Sequence, residues 1–417
     1  MRNPSLAPEA PGALAEPPPA RPPGMGPWPF RLLWASSVLN QAGFWIQQVG
    51  VGWLILELTN SSTQLGLASF MRGLPMMIIS PIGGVFVDRF DRRRMVLFSQ
   101  SVAGLCALAL VALIVAGWVQ PWHVYLISFV SGATVTVNFP ARQAMIPALV
   151  PPGEVGQSVA GIAAGQNGAR VVSPGFAGLL IQVSGLATCF LAQAGVFATA
   201  LAMTWRLPTT PRPRSTGAGA LGAMLAGFGH IRDTPSLRAL MLLAVVPTVL
   251  ALPYQQLLPV FARDVYDVGA GGLGVLLTAN SVGAFLGALV ASWLLSLPQR
   301  GLVLLLGGMS VGLGLVLLAV VPSMALAMVV LFLVGAAFSV YNSTNNTLIH
   351  EATTDAFRGR VMSVYLMTWS LMPMGTLPAG ALADHVGAPL TVALGGGLCA
   401  LLVLLVWLTT PALRKLR

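Results

Sequence analysis

The chain of 417 residues predicts an all-α membrane protein: twelve transmembrane helices in two pseudo-symmetric six-helix bundles, with both termini cytoplasmic. Three observations carry that expectation. The composition is 56% hydrophobic and only 8% charged, with a mean hydropathy of +0.80, too apolar for the surfaces of soluble domains. Apolar runs of about 20 residues, the length that crosses a bilayer, recur twelve times in two sets of six. Basic residues gather in alternate connections, as the positive-inside rule requires. The 46 glycines and 31 prolines agree, because small residues let membrane helices approach closely and proline kinks are tolerated there.

Residues 1–27 are Pro/Ala-rich and lack the apolar stretch of a signal peptide, so a disordered cytoplasmic tail is expected. The N-terminal bundle, 28–207, holds spans near 30–58, 62–87, 95–117, 121–149, 155–183 and 186–206. A cytoplasmic linker at 208–235 is the one long interior stretch of polar and small residues, and its second part has the composition of an amphipathic helix lying on the membrane. The C-terminal bundle, 236–412, holds spans near 236–262, 271–297, 300–320, 323–349, 358–384 and 388–411, and a basic cytoplasmic tail, 413–417, follows. With the N-terminus inside, 19 of the 22 basic residues fall on the cytoplasmic side, Arg142 among them. Arg263 falls outside, and Arg72 and Arg170 lie within spans. The net charge of +10 is then a topology signal, and no nucleic-acid partner is needed to explain it.

Other classes are excluded on residues. Cys106, Cys189 and Cys399 each sit in a different apolar run, as core side chains rather than a disulfide framework or metal site. The four histidines, His123, His230, His350 and His385, are dispersed, and no paired acid or nucleophile constellation of an enzyme accompanies them. No cofactor is expected. The phosphate-binding loop of ATP-driven pumps is missing, and a sensor would be expected to carry an additional soluble domain.

Internal symmetry supports a duplicated architecture. The segment "IPALVPPGEVGQSVAG" after span 4 resembles "IHEATTDAFRGRVMSVY" after span 10. "SPIGGVFVDRFDRR" ending span 2 resembles "LPAGALADHVG" ending span 11, on the opposite side of the membrane, as inverted repeats require.

The densest charge in the chain, Asp88 to Arg94, lies in the connection between spans 2 and 3. Topology alone accounts for its arginines but not for the spacing of Gly84 and Asp88. Gly84, Asp88, Arg89, Arg92 and Arg93 match the signature G-x-x-x-D-R-x-G-R-R, except that Asp91 stands at its second glycine. With "NFPARQAMIPALVP", "LPVFARDVYDVGAGGLGVLL" and "FRGRVMSVY", the chain after residue 28 resembles the major facilitator superfamily, in the branch holding the enterobactin exporter and macrolide-efflux-like proteins. The resemblance implies the major facilitator fold and a gating role for that loop. Its aspartate would sit at the start of span 11, here Asp355-Ala356-Phe357-Arg358-Gly359, where free N–H groups and the helix dipole favour an anion. Closing that contact would shut the cytoplasmic side. The branch commonly carries an acidic residue after the glycine of span 1, where Phe44 and Trp45 follow Gly43 here. An arginine early in span 4, common in proton-coupled relatives, is also missing. Protons therefore stay only a candidate coupling ion.

Ionisable groups within spans are functional hypotheses by default. No carboxylate lies at a predicted midplane, whereas Arg72 and Arg170 do lie within spans. Either they anchor an anionic substrate or they pair with carbonyls and amides between helices; a positive cavity would suit anionic or neutral molecules over cations. The uncharged candidates are Gln47, Gln48, Asn138, Gln166, Asn167, Tyr254, Gln255, Asn280, Tyr341, Asn342, Asn345 and Trp369, concentrated in spans 1, 4, 7 and 10. Trp45 and Trp369 offer stacking faces. In span 5, Ala160, Ala169, Ser173, Pro174, Ala177 and Gly178 occupy the small-residue places of the antiporter pattern that the resemblance implies, which favours export. The expected function is secondary active export of a drug, siderophore or secondary metabolite across the inner membrane by alternating access. The expected partners are a small-molecule substrate and the lipid bilayer, with the protein a monomer. Uptake or lipid flipping by the same fold is the alternative, and a non-transporting sensor a more distant one.

Overall fold

A computed structural model describes residues 27–89, 91–209, 220–296 and 299–414. No strand occurs among them. The first half comprises α1 (Pro27–Thr59), α2 (Ser62–Arg89), α3 (Arg92–Val115), α4 (Pro121–Leu149) and α5 (Val155–Trp205). α5 runs for 51 residues, long enough for two crossings, and breaks at Gly185, whose φ of 83° and ψ of 172° lie outside the helical region. That break falls between predicted spans 5 and 6.

The linker carries α6 (Ala220–Asp233), and the second half comprises α7 (Pro235–Leu250), α8 (Tyr254–Val260), α9 (Gly269–Leu294), α10 (Arg300–Val320), α11 (Met324–Ala352), α12 (Asp355–Thr368), α13 (Met372–Val386) and α14 (Ala388–Thr409), ending in α15 (Pro411–Arg414). Two of the predicted spans are discontinuous. The seventh turns at Ala251–Pro253 between α7 and α8 and ends in a π-helical stretch, Phe261–Val265. The eleventh passes through a 3₁₀ turn, Trp369–Leu371, between α12 and α13. Pro253 ends the first break and Pro373 follows the second; neither can donate to the helical ladder, and backbone so freed in a membrane must be buried in protein or line a cavity.

Among the described residues, eight helical stretches are long and apolar enough to cross a membrane: α3, α4, α5, Pro235–Val265, α9, α10, α11 and α14. The outside of the molecule is oily. On α14, Leu394, Leu398, Leu401 and Leu405 are all exposed at alternating steps of four and three, which forms one continuous stripe. In water that stripe would be an aggregation site; in lipid it is the solvent-facing surface.

Within the first half α1, α3 and α4 pack around α5 and α2, and within the second α9 and α14 pack around α10 and α11. The halves meet along two seams, α5 with α9 and α2 with α13. Both seams need glycine at the crossing. A Cβ on Gly178 would lie 2.4 Å from the Ala270 carbonyl, and one on Gly380 would lie 2.3 Å from that of Ser62. α6 packs on α12, with the His230 ring stacked 4.3 Å from that of Phe357.

Candidate functional site

A cavity of about 300 Å3 lies between the halves, walled by α1, α2, α4 and α5 on one side and by the turn at 251–253, α8, α11, the Trp369 break and α13 on the other. The broken segments of the second half therefore face it. Of the residues the sequence singled out, Trp45, Gln48, Arg72, Arg170, Gln255 and Trp369 line it.

Arg72 projects from α2 with its guanidinium 4.1 Å from the centroid of the Phe44 ring, and donates through Nη1 to Gln48 Oε1. Arg170, from α5, stands 5.2 Å from the Trp45 ring. Gln48 Nε2 donates at 2.7 Å to Gln256 Oε1, which also accepts from Ser69 Oγ at 2.9 Å, so Gln256 ties the second half to α1 and α2. Gln256 and Ser69 were not among the sequence candidates. Gln256 had a visible signal, as the neighbour of Gln255 in the proline-flanked stretch Pro253–Pro259. Trp369 meets Phe338 edge-on, with centroids 6.2 Å apart.

Several of the other amide and hydroxyl candidates hydrogen-bond to neighbouring helices away from this cavity wall. Gln47 donates to Ser131 Oγ at 2.7 Å, beside a void of about 20 Å3 that Asn138 also borders. Asn280 Nδ2 donates to Tyr254 Oη at 2.7 Å and to the Leu331 carbonyl at 3.1 Å, which pins α9 to α8 and α11. Tyr341 donates to the Leu243 carbonyl, Asn345 to that of Leu240 at 3.3 Å, and Asn342 accepts from Tyr365 at 3.0 Å. Gln166 and Asn167 are not part of the cavity wall. On α5, Ala169, Ser173, Pro174, Ala177 and Gly178 are buried, while Ala160 is exposed.

Arg142, counted with the cytoplasmic side, is buried. It is 6% exposed, donating through Nε to Asn138 Oδ1 at 2.7 Å and through Nη1 to Ser37 Oγ at 2.8 Å. One turn of α4 brings Asn138 beneath it, and the hydroxyls of α1 complete a polar pocket that hydropathy cannot reveal.

In the charged loop, Gly84, Asp88 and Arg89 lie on α2, but their side chains fall outside the described residues. Arg92 donates to the Ala144 carbonyl at 2.5 Å, and Arg93 to the carbonyls of Thr204, at 3.3 Å, and Trp205. Both thus satisfy carbonyls near the ends of α4 and α5. Asp91 caps α3, accepting from the Arg94 N–H at 2.9 Å, a role the glycine of the signature could not fill. Asp355 and Arg358 form an exposed i,i+3 pair at 2.7 Å, and Gly359 is exposed beside them.

Hydrogen bonds tie the two halves together where α2 starts and α13 ends. Asp384, at the end of α13, accepts from Ser61 Oγ at 2.6 Å, the Ser62 N–H at 2.6 Å and the Thr63 N–H at 3.0 Å, and so caps the start of α2 across the two halves. Nearby, Arg263 Nη1 donates to the Leu56 carbonyl at 2.9 Å and to Asn60 Oδ1 at 2.7 Å. Along the other seam Thr278 Oγ1 donates to the Val171 carbonyl at 3.2 Å.

A family model described as transmembrane secretion effector matches residues 26–417. The enterobactin exporter EntS of Escherichia coli O1:K1 / APEC is 28% identical over 395 residues, covering 93% of each chain. Among solved structures, a variant of the nucleoside transporter NupG superposes with a TM-score of 0.75 at 13% identity, over 93% of this chain and 100% of that one. A D-xylose-proton symporter superposes with a TM-score of 0.74 at 13% identity, over 93% and 98%.

Proposed function

We propose, for a chain that belongs to the transmembrane secretion effector family of major facilitator transporters, secondary active export of a small amphipathic organic molecule across the inner membrane. Its relatives are transporters and not enzymes. The observation that carries the reading is the cavity between the halves, with the halves tied together at one end by Asp384 and Arg263. In this reading twelve spans cross the membrane, α5 and the broken segments included. Both termini lie in the cytoplasm, and the tied end faces outward. The structure is then the inward-facing member of an alternating pair, ready to load from the cytoplasm as an exporter must.

The inverted likeness of α2 and α13 supplies a gating scheme. Gly380 and Asp384 repeat the spacing of Gly84 and Asp88, and Asp384 caps the first turn of α2 on the tied side. Asp88 is its counterpart, docking at the start of α12 when the cytoplasmic side closes. In each state one carboxylate sits on one helix N-terminus, where exposed N–H groups and the dipole favour it. Glycine four residues earlier lets the paired helices touch. With no carboxylate on the described cavity wall, protons coupled to the cycle would have to be carried elsewhere. Everted membrane vesicles holding the protein test the direction. A metabolite panel should accumulate inside them when they are energised; accumulation in right-side-out vesicles instead would reverse the reading to uptake.

A further inference from the structure

We propose that the cavity is built for an organic anion bearing an aromatic ring, its acid group held by Arg72 and Arg170 and its ring resting on the aromatic wall of the second half. The inference rests on the exporter reading and names its substrate class. Two guanidinium groups line one cavity of about 300 Å3 whose described wall holds no Asp or Glu, and none of the ion pairs among the described residues involves either of them. Their α1 rings give each a cation–π contact, which offsets part of the cost of removing a charge from water but does not neutralise it. Arg72 Nη2 and Arg170 Nε are buried without partners, and so is Trp45 Nε1. A buried charged donor left unpaired is costly. The three donors are therefore best satisfied by an acceptor that arrives with the substrate, and guanidinium groups match the geometry of carboxylate or phenolate oxygens.

The halves divide the labour. The cations come from α2 and α5, whereas Leu252, Phe338, Trp369 and Met372 of the second half present apolar and aromatic surface. A molecule with an acid at one end and a ring at the other spans the interface. Its acid would also compete for the Arg72 Nη1 now donated to Gln48, the residue that holds Gln256 across the halves. Binding of charge is thus coupled to a contact between the halves that must change during the cycle.

The test uses the full-length protein in detergent and three probes of one shape: 2-naphthoate, the uncharged 2-naphthamide and the cation 2-naphthylmethylammonium. Thermal shift and calorimetry should find 2-naphthoate bound and the other two at least about tenfold weaker, the ratio expected for one charge-assisted contact. Arg72→Gln and Arg170→Gln should each weaken 2-naphthoate by about the same factor, with the unliganded melting temperature as a folding check. Equal binding of the three probes, preference for the ammonium, or no 2-naphthoate binding at millimolar concentration would overturn the proposal. So would unchanged affinity in both folded variants. The three-probe comparison on the unaltered chain stands even if the variants do not fold. Binding of 2-naphthoate with no transport of any compound in vesicles would remove the exporter reading and leave the anion site. Export of cations with no naphthoate binding would do the reverse.

Discussion

Arg72 and Asn280 show how two polar side chains within predicted spans come to differ. Both are drawn into the protein because lipid offers them no partner. Asn280 spends its amide N–H groups on Tyr254 and Leu331, whereas Arg72 keeps one buried nitrogen unpartnered beside a cavity. The distinction predicts opposite phenotypes. Asn280→Ala should lower the melting temperature, with a loss of about 1 kcal/mol as hydrogen bonds between membrane helices usually give, and leave 2-naphthoate affinity unchanged. Calorimetry on the same sample would check both halves of that statement, and an altered affinity would move Asn280 into the site. Sequence reading could list these residues but could not sort them, since hydrogen-bond partners such as the Leu331 carbonyl lie on other helices. Arg142 illustrates the same limit, because its neighbours Ser36 and Ser37 are more than a hundred positions away.

Among the elements, α2 and α13 carry the clearest mechanical logic. Their crossing is close because glycine stands at it, and Asp384 closes it by capping α2. Asp384→Ala should open the tied end more often. In a chain whose native cysteines are replaced and Ser69 is changed to Cys, a membrane-impermeant maleimide added on that side should label about fivefold faster, the factor that about 1 kcal/mol at an exposed contact gives. Ser61→Ala, which removes one of three hydrogen bonds, should give a smaller increase. An unchanged labelling rate in both would deny the latch. The resemblance between the ends of these two helices was legible in the sequence, but not that Asp384 caps α2, since that contact joins residues more than 300 positions apart. The breaks in the seventh and eleventh spans were less legible. Their prolines could be seen, yet proline alone does not say whether a membrane helix bends or stops.

At the scale of the molecule, the proposed switch between the two halves makes the partner state of this structure depend on Asp88. Asp88→Asn should insert normally and transport more slowly, because a neutral amide is a poorer occupant of a helix N-terminus than a carboxylate. Initial rates in proteoliposomes check this, and normal rates would confine the charged loop to its topological role. Helical class, membrane residence and transporter family were all readable from the chain alone. Each follows from local rules: a stretch that meets lipid must satisfy its own backbone and expose apolar side chains, so hydropathy reports it residue by residue. Even the division of α5 was marked in advance by the polar turn around Gly185. The cavity, the two arginines that line it, the burial of Arg142 and the Asp384 cap were decided only by tertiary structure. All of them are meetings of residues far apart in the chain, and the energy of a polar group in a membrane protein is set by what stands opposite it.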